Sequence, residues 1–249
     1  DDVEIATRLA NQIAKFIWET RDDFVKSLTP FDKAIEIALD TSRKPVIFSD
    51  SGDNPGGGGS GRTTGLLSAL LASDACNILY GSFFDSALAR DAHRRGIGAT
   101  FPAVFNREGN DAPWEQWDAR LAVDAKVIGL HHGDVIGRLG MMAGRKLSLG
   151  LCALLEIAGV RVVVISERSQ TADPVFFEMF DQDIATAHTI IVKSRGHFRA
   201  GFAPWFDGSN IYEIDTVGLT SPVLSRWDFN NVPHPSFPFQ PKAEWSMRL

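Results

Sequence analysis

Cysteine is scarce: the 249 residues hold two, Cys76 and Cys152. Two thiols far apart in the chain make neither a disulfide framework nor a four-ligand zinc cluster, and this usage suits a reducing, cytoplasmic setting. Their apolar surroundings read as inert core. No uninterrupted apolar run is long enough to cross a bilayer. The longest, Leu147 to Ile165, is broken by Glu156 and Arg161, and its repeated valines suit strands. Basic residues are not in excess. The formal net charge of −6 makes phosphate backbones and anionic lipid poor partners, so neither nucleic acid nor membrane is expected. There is no internal repeat, and Gly56–Gly59 is the one low-complexity stretch. The start, DDVEIATRLA, has no initiator Met and no basic segment ahead of an apolar core. It therefore reads as a fragment or processed chain without a secretory signal. What is present, 44% apolar and 22% charged residues, is ordinary for a globule and excludes wholesale disorder.

Periodicity predicts an α/β fold. An amphipathic helix spans residues 2–20, with Val3, Ala6, Ala10, Ile13 and Ile17 on one face. Thr29-Pro30-Phe31-Asp32 announces a second, with Thr29 as cap, Pro30 at the first turn and Asp32 as capping-box partner. Pro45 to Phe48 is a short buried strand that runs into a glycine-rich loop and then a helix marked by Leu66, Leu67, Leu70 and Leu71. Strand, helix and strand follow at 77–84, 86–95 and 99–105. Residues about 118–166 read as an antiparallel insertion, with Leu147–Ile157 and Val160–Ile165 joined at Ala158-Gly159. Asp173-Pro174 starts a helix, and Thr189–Val192 and Asn210–Asp215 are strands. The Pro-, Phe- and Trp-rich tail from about 232 to 249 predicts extended chain wrapped on an apolar surface. The expectation is one domain over 1–249: a mostly parallel sheet with helices on both faces and an antiparallel insertion.

Four segments could carry chemistry. In Asp50-Ser-Gly-Asp53-Asn54-Pro55-Gly56-Gly57-Gly58-Gly59-Ser60-Gly61-Arg62, glycines let backbone N–H groups approach an anion. The Gly-Lys-Ser/Thr ending of a nucleotide P-loop is missing. Lys193-Ser194-Arg195-Gly196-His197-Phe198-Arg199, at a strand end, offers cations and an imidazole, although a helix starting near Ser194 would send His197 and Arg199 to different faces. In His131-His132-Gly133-Asp134, His132 and Asp134 share a strand face, but two ligands do not make a zinc site and no third is placed by the sequence. Asp215 to Pro222 puts an acid and a glycine turn after a buried strand. Trp114, Trp117 and the tail aromatics read as packing or as contact with a partner surface.

FSDSGDNPGGGGSGRTT, ISERSQTADPVFF, IVKSRGHFRAGFAP and YEIDTVGLTSP occur in the order and rough spacing of one known domain. By these motifs the chain resembles the C-terminal domain of MlrC-like proteins, the microcystinase C group of metallopeptidases. The resemblance runs from the first helix to near Pro238. It implies a two-domain parent whose larger N-terminal domain holds a catalytic zinc through Asp and His side chains. It also implies hydrolysis of peptide bonds in linearised microcystin or related small peptides. The C-terminal domain would complete the cleft. Residue by residue, Asp53, Asn54, Gly56, Gly57 and Gly58 match the family's DNPGGG loop. Lys193, Ser194, His197, Phe198, Arg199 and Ala200 match its KSxxHFRA stretch, and Asp215 and Gly218 its DTPG turn. Arg62 stands where the family has an acidic residue, and Val217 where it has proline.

The resulting expectation is a wall of a zinc-peptidase cleft, inactive alone. Asp53, Asn54, Gly56, Gly57, Gly58, Lys193, Ser194, His197, Arg199 and Asp215 are its substrate-binding candidates, and His197, Arg199 and the Gly56–Gly58 amides are the groups expected to meet substrate carboxylate or carbonyl oxygens. No catalytic residue or metal ligand is assigned to this segment. The expected partners are the N-terminal metal-binding domain and a small peptide, with homo-oligomers open. Two alternatives stand beside it: a phosphate- or small-molecule-binding module without catalysis, and a structural domain that docks a partner through its aromatic tail.

Overall fold

The computed structural model describes residues 2–25, 27–43, 45–109 and 115–246. The chain forms two compact units, Leu28–Pro222 and the paired ends Asp1–Ser27 with Val223–Leu249.

The larger unit is built on one eight-stranded sheet. Its strands are β1 (Val46–Asp50), β2 (Ile78–Phe84), β3 (Thr100–Phe105), β4 (Leu121–His131), β7 (Cys152–Ile157), β8 (Val160–Ile165), β9 (Thr189–Val192) and β10 (Ile211–Ile214). The spatial order is β10-β1-β9-β2-β8-β7-β4-β3. The first five run parallel, and β7, β4 and β3 continue the sheet antiparallel. A small separate pair is made by β5 (Asp134–Ile136) and β6 (Lys146–Ser148).

Both faces are covered, which is why the central strands are apolar without alternation. Strand geometry still sorts side chains by parity. Val46, Phe48, Ile78, Tyr80, Val162, Val164 and Ile191 join one core with α2 (Phe31–Leu39), α3 (Gly65–Leu71) and α4 (Ser86–Arg95). Ile47, Leu79, Val163, Ile165, Ile190 and Val192 join the other with α5 (Val175–Glu178) and α6 (Phe198–Phe202). Each fully buried Leu, Ile or Phe in these cores contributes about 1.5–3 kcal/mol. The chain is thus α/β, with helices on both faces of a mostly parallel sheet.

The 118–166 segment carries the antiparallel strands expected of it, and β4, β7 and β8 among them are joined to the main sheet. β8 is paired to β7 through the Ala158-Gly159 turn on one side and in parallel to β2 on the other, so the antiparallel strands extend the main sheet. Several local expectations change. Leu147–Ile157 is not one strand: it breaks between β6 and β7, where Gly150 sits at φ +65°. Thr29 does not cap α2. Its backbone bridges β10, with Thr29 N–H donating to Glu213 O (2.8 Å) and Asp215 N–H to Thr29 O (2.8 Å), and Pro30 takes the cap position. Asp32 accepts from the Lys33 N–H instead of closing a capping box. Cys152 is buried, its thiol pushed up to about 12 by desolvation and then by the Asp134 charge. Cys76 is exposed, which corrects its reading as core.

In the smaller unit, α1 (Val3–Glu19) is capped by Asp2, whose carboxylate accepts from Ile5 N–H at 3.1 Å. None of its residues is buried. Among the described residues from Val223 onward the only regular element is a single 3-10 turn at Leu224–Arg226, ahead of the aromatic tail. Phe237 meets the Trp18 ring edge-on at 6.4 Å, and the Arg21 guanidinium lies over both rings. Trp114 lies outside the described residues. Among the described residues no helix is long and apolar enough to cross a membrane.

The loop after β1 and the turn after β10 interlock through glycine. A Cβ on Gly52 would stand 2.6 Å from Thr216 O and Val217 C, and one on Gly218 would stand 2.3 Å from Gly52 O. These are backbone atoms, which cannot swing aside. Gly65, at the start of α3, faces open space. Gly52→Ala is therefore expected to cost at least about 1–3 kcal/mol. Gly65→Ala is expected to be neutral or stabilising by up to about 1 kcal/mol through helix propensity. Denaturant unfolding of the two variants checks the contrast.

Candidate functional site

Parallel strands deliver the loops at their carboxyl ends to one edge of the sheet, where α/β folds bind ligands. Here the glycine loop follows β1, Arg168 and Gln170 follow β8, Lys193–Arg199 follow β9 and Asp215–Gly218 follow β10.

At the base of this edge lies Lys193, with no solvent exposure. Its Nζ donates to Asp53 Oδ2 (2.7 Å), Asp50 Oδ2 (2.9 Å), Thr63 Oγ1 (2.9 Å) and Thr63 O (3.1 Å). It also lies 5.6 Å from the Phe83 ring centre and 5.7 Å from that of Tyr80. Three ammonium protons with four acceptors leave no donor for a substrate. Burial acts to lower Lys193, but Asp50 and Asp53 outweigh it and hold the amine well above its ordinary value, so it stays a cation. Burial likewise acts to raise Asp53. The Lys193 charge and the N–H groups of Thr63 and Gly61 overcome it and hold that carboxyl below its usual range. Burial raises Asp50, with Lys193 offsetting only part and Asp53 adding to it. Thr216 Oγ1 donates to Asp50 Oδ1 at 2.7 Å and receives the Gly52 N–H at 2.7 Å, which ties the β10 turn into the same network.

Asp53 is the organiser of the glycine loop. Its oxygens accept from Gly61 N–H (2.7 Å), Thr63 N–H (2.9 Å) and Thr63 Oγ1 (2.9 Å). Asn54 folds the turn: its side chain takes the Gly56 N–H (3.1 Å), and its carbonyl takes the N–H of Gly57 (2.9 Å) and Gly59 (2.9 Å). The Gly58 N–H goes to Pro55 O at 3.2 Å. The three amides expected to meet an anion are thus committed inside the loop, although Gly56, Gly57 and Gly58 are themselves exposed. Arg62 is engaged within the chain, with its guanidinium on Asn106 Oδ1 (3.0 Å) and Glu108 O (2.6 Å).

The β9 segment splits as its geometry demands. Ser194 is buried, and its carbonyl receives the Ser49 hydroxyl at 2.8 Å. Arg199 turns to Glu213 Oε1 (2.7 Å), with Arg195 3.8 Å from the other oxygen. His197 is exposed and turns the other way, onto Gln170, beside Gly56. Asp215 is partly buried at the end of β10 and held by its backbone to Thr29. The sheet edge therefore unites the loop, Lys193, His197 and the Asp215 turn. Of the expected binding residues, the exposed ones are Gly56, Gly57, Gly58 and His197, with Arg199 partly exposed in its ion pair.

Gln170 and Arg168 carry weight that the sequence did not assign. Arg168 donates to Gly59 O at 2.9 Å, and Gln170 fills the space where a Gly56 side chain would stand. Both lie in the ISERSQTADPVFF stretch. The sequence marks β8 as the second strand of a hairpin, and this does not reveal that the loop after it leaves the carboxyl end of a parallel strand.

The donor set does not fit zinc. Among the described residues no group of three His, Cys, Asp or Glu side chains is placed to hold a metal ion. Asp50 and Asp53 are consumed by Lys193. His131 ends β4, where its Nδ1 accepts the Gly133 N–H (2.8 Å), and the His132 ring lies tilted against that of His93, with ring centres 5.7 Å apart.

Comparison with known proteins gives a consistent set. Residues 48–231 match the family described as MlrC C-terminus. The chain is similar to Microcystinase C from Sphingomonas sp, 27% identical over 211 residues, which cover 85% of this chain and 39% of that protein. It shares the fold of a crystal structure from Mesorhizobium sp. BNC1, named as a candidate metallopeptidase, with a TM-score of 0.77 at 24% identity. That match covers 94% of this chain and 45% of the other. The chain spans less than half the length of either relative.

Removing the buried cation while leaving its partners tests the network. Lys193→Met is expected to destabilise the fold by about 3–5 kcal/mol at pH 7. The loss should shrink as pH falls from 7 toward 5, because two unpaired buried carboxyls titrate upward and become neutral without cost. In the native chain the lowered Asp53 contributes stability above the ordinary Asp value of about 3.9, and this is lost only below it. Unfolding curves across pH for both proteins measure the difference.

Proposed function

Because the chain belongs to the MlrC C-terminus family, we propose that it is the cleft-lining part of a zinc metallopeptidase acting on linear microcystin-type or related small peptides. The observation that carries this reading is the exposed His197, set against the glycine loop on the ligand edge of the sheet. An imidazole held there can donate to a peptide carbonyl or a terminal carboxylate. Arg199 is turned to Glu213, away from His197, and is left with no part in that contact. The names of the relatives support hydrolysis. Since the donors among the described residues do not fit zinc, the metal is assigned to the length of the relatives that this chain does not span. The roles left to this chain are binding and orientation.

A phosphate-binding module is the weaker reading. The loop amides that would meet a phosphate already have acceptors inside the loop.

The test is hydrolysis of a linear peptide by this chain alone and within its complete polypeptide. The isolated chain should show no turnover at any zinc concentration. In the complete protein His197→Ala should lower kcat/KM by roughly 10²-fold with bound metal unchanged. Turnover by the isolated chain, or unaltered kinetics in the variant, would overturn the reading, as would micromolar affinity of the chain for a nucleotide.

A further inference from the structure

Gln170 is nearly buried, 8% exposed, yet its amide lies directly against an exposed histidine. Its Nε2 is 3.0 Å from His197 Nδ1 and its Oε1 3.2 Å. On its other side the amide presses on the glycine loop, where a Cβ at Gly56 would stand 2.1 Å from Oε1 and 2.5 Å from Cδ. Gly56 is therefore glycine so that Gln170 can lie there, and Gln170 is held where it can reach His197. Loop, amide and imidazole form one row of contacts.

A neutral imidazole has one N–H and one lone-pair nitrogen, and a neighbour that fixes one fixes the other. With the amide NH₂ toward Nδ1, that nitrogen accepts and Nε2 carries the proton. With the carbonyl toward Nδ1, the reverse holds and Nε2 is basic. Two features point to the first arrangement. The amide nitrogen is the nearer atom, and it is also the one 4.0 Å from the Met141 sulfur, a weak acceptor that suits an N–H. Nε2 of His197 has no partner among the described residues.

We infer that Gln170 is a positioning residue that holds His197 as the Nε2–H tautomer, so that the site offers an outward hydrogen-bond donor to a substrate carbonyl or carboxylate oxygen rather than a base. This rests on the peptidase reading for its substrate, but not for the tautomer itself. In that reaction His197 steadies negative charge on an oxygen and removes no proton from water. Gln170 touches no substrate and acts through the ring.

Long-range ¹H–¹⁵N correlation spectra of the ¹⁵N-histidine-labelled chain test this directly, above the histidine titration range, with the His197 signals assigned by their loss in His197→Gln. The native chain should show His197 mainly as Nε2–H. Gln170→Glu, nearly isosteric but only an acceptor when ionised, should draw the proton to Nδ1 and shift the tautomer ratio by roughly fivefold or more, the effect of one net hydrogen bond. Gly56→Ala, which displaces the flexible amide and leaves the ring untouched, should move the ratio in the same direction. A native Nδ1–H tautomer overturns the inference, as does a ratio unmoved in Gln170→Glu. Hydrolysis by the complete protein separates the two claims. If the tautomer is as expected but His197→Ala leaves kinetics unchanged, the peptidase reading fails and the positioning stands. If His197→Ala is slow but the native tautomer is Nδ1–H, the reverse holds.

Discussion

One buried ammonium organises the ligand edge of this protein. Lys193 is enclosed by two carboxylates, a threonine and two aromatic rings, so its charge could not persist there without Asp50 and Asp53, nor theirs without it. Asp53 then spends its remaining acceptor capacity on the Gly61 and Thr63 backbone, and Asp50 receives the Thr216 hydroxyl. Three loops from three strands are thereby fixed by a single charge cluster. Rigid loops are what let an exposed imidazole keep its place without being buried itself.

Much of this plan is written in local pattern. Continuous apolar runs such as Val46–Phe48 and Thr189–Val192 mark strands covered on both faces, and the loops that follow them lie on the ligand edge whatever their detail. Less legible is anything that depends on which strand pairs with which. The Ala158-Gly159 turn declares a hairpin, but nothing local declares that β8 also lies parallel to β2, eighty residues away. Because that pairing was hidden, Gln170 and Arg168 looked like connecting chain.

Side-chain roles were harder still. A cation and an imidazole four residues apart, Lys193 and His197, look equivalent in a motif, yet one is sealed and the other open. Burial decides this, and burial is a property of the assembled sheet. The glycine run shows the same limit from another side. Glycines permit close approach of backbone to an anion, but here Asn54 and Pro55 occupy the amides, and the free space at Gly56 accommodates Gln170. Thr29 repeats it on a smaller scale, since a good capping sequence was overruled by a bridge to β10.

The face-to-face meeting of Gly52 and Gly218 has a consequence for how such proteins can diverge or be re-engineered. Neither turn has room to grow by even a methyl group while the other keeps its course. Exchanging a single one of these turns with that of a distant cousin would bring together surfaces shaped for different neighbours. Transplants should travel as a matched set, and variety among cousins should gather in segments that rest on no other backbone.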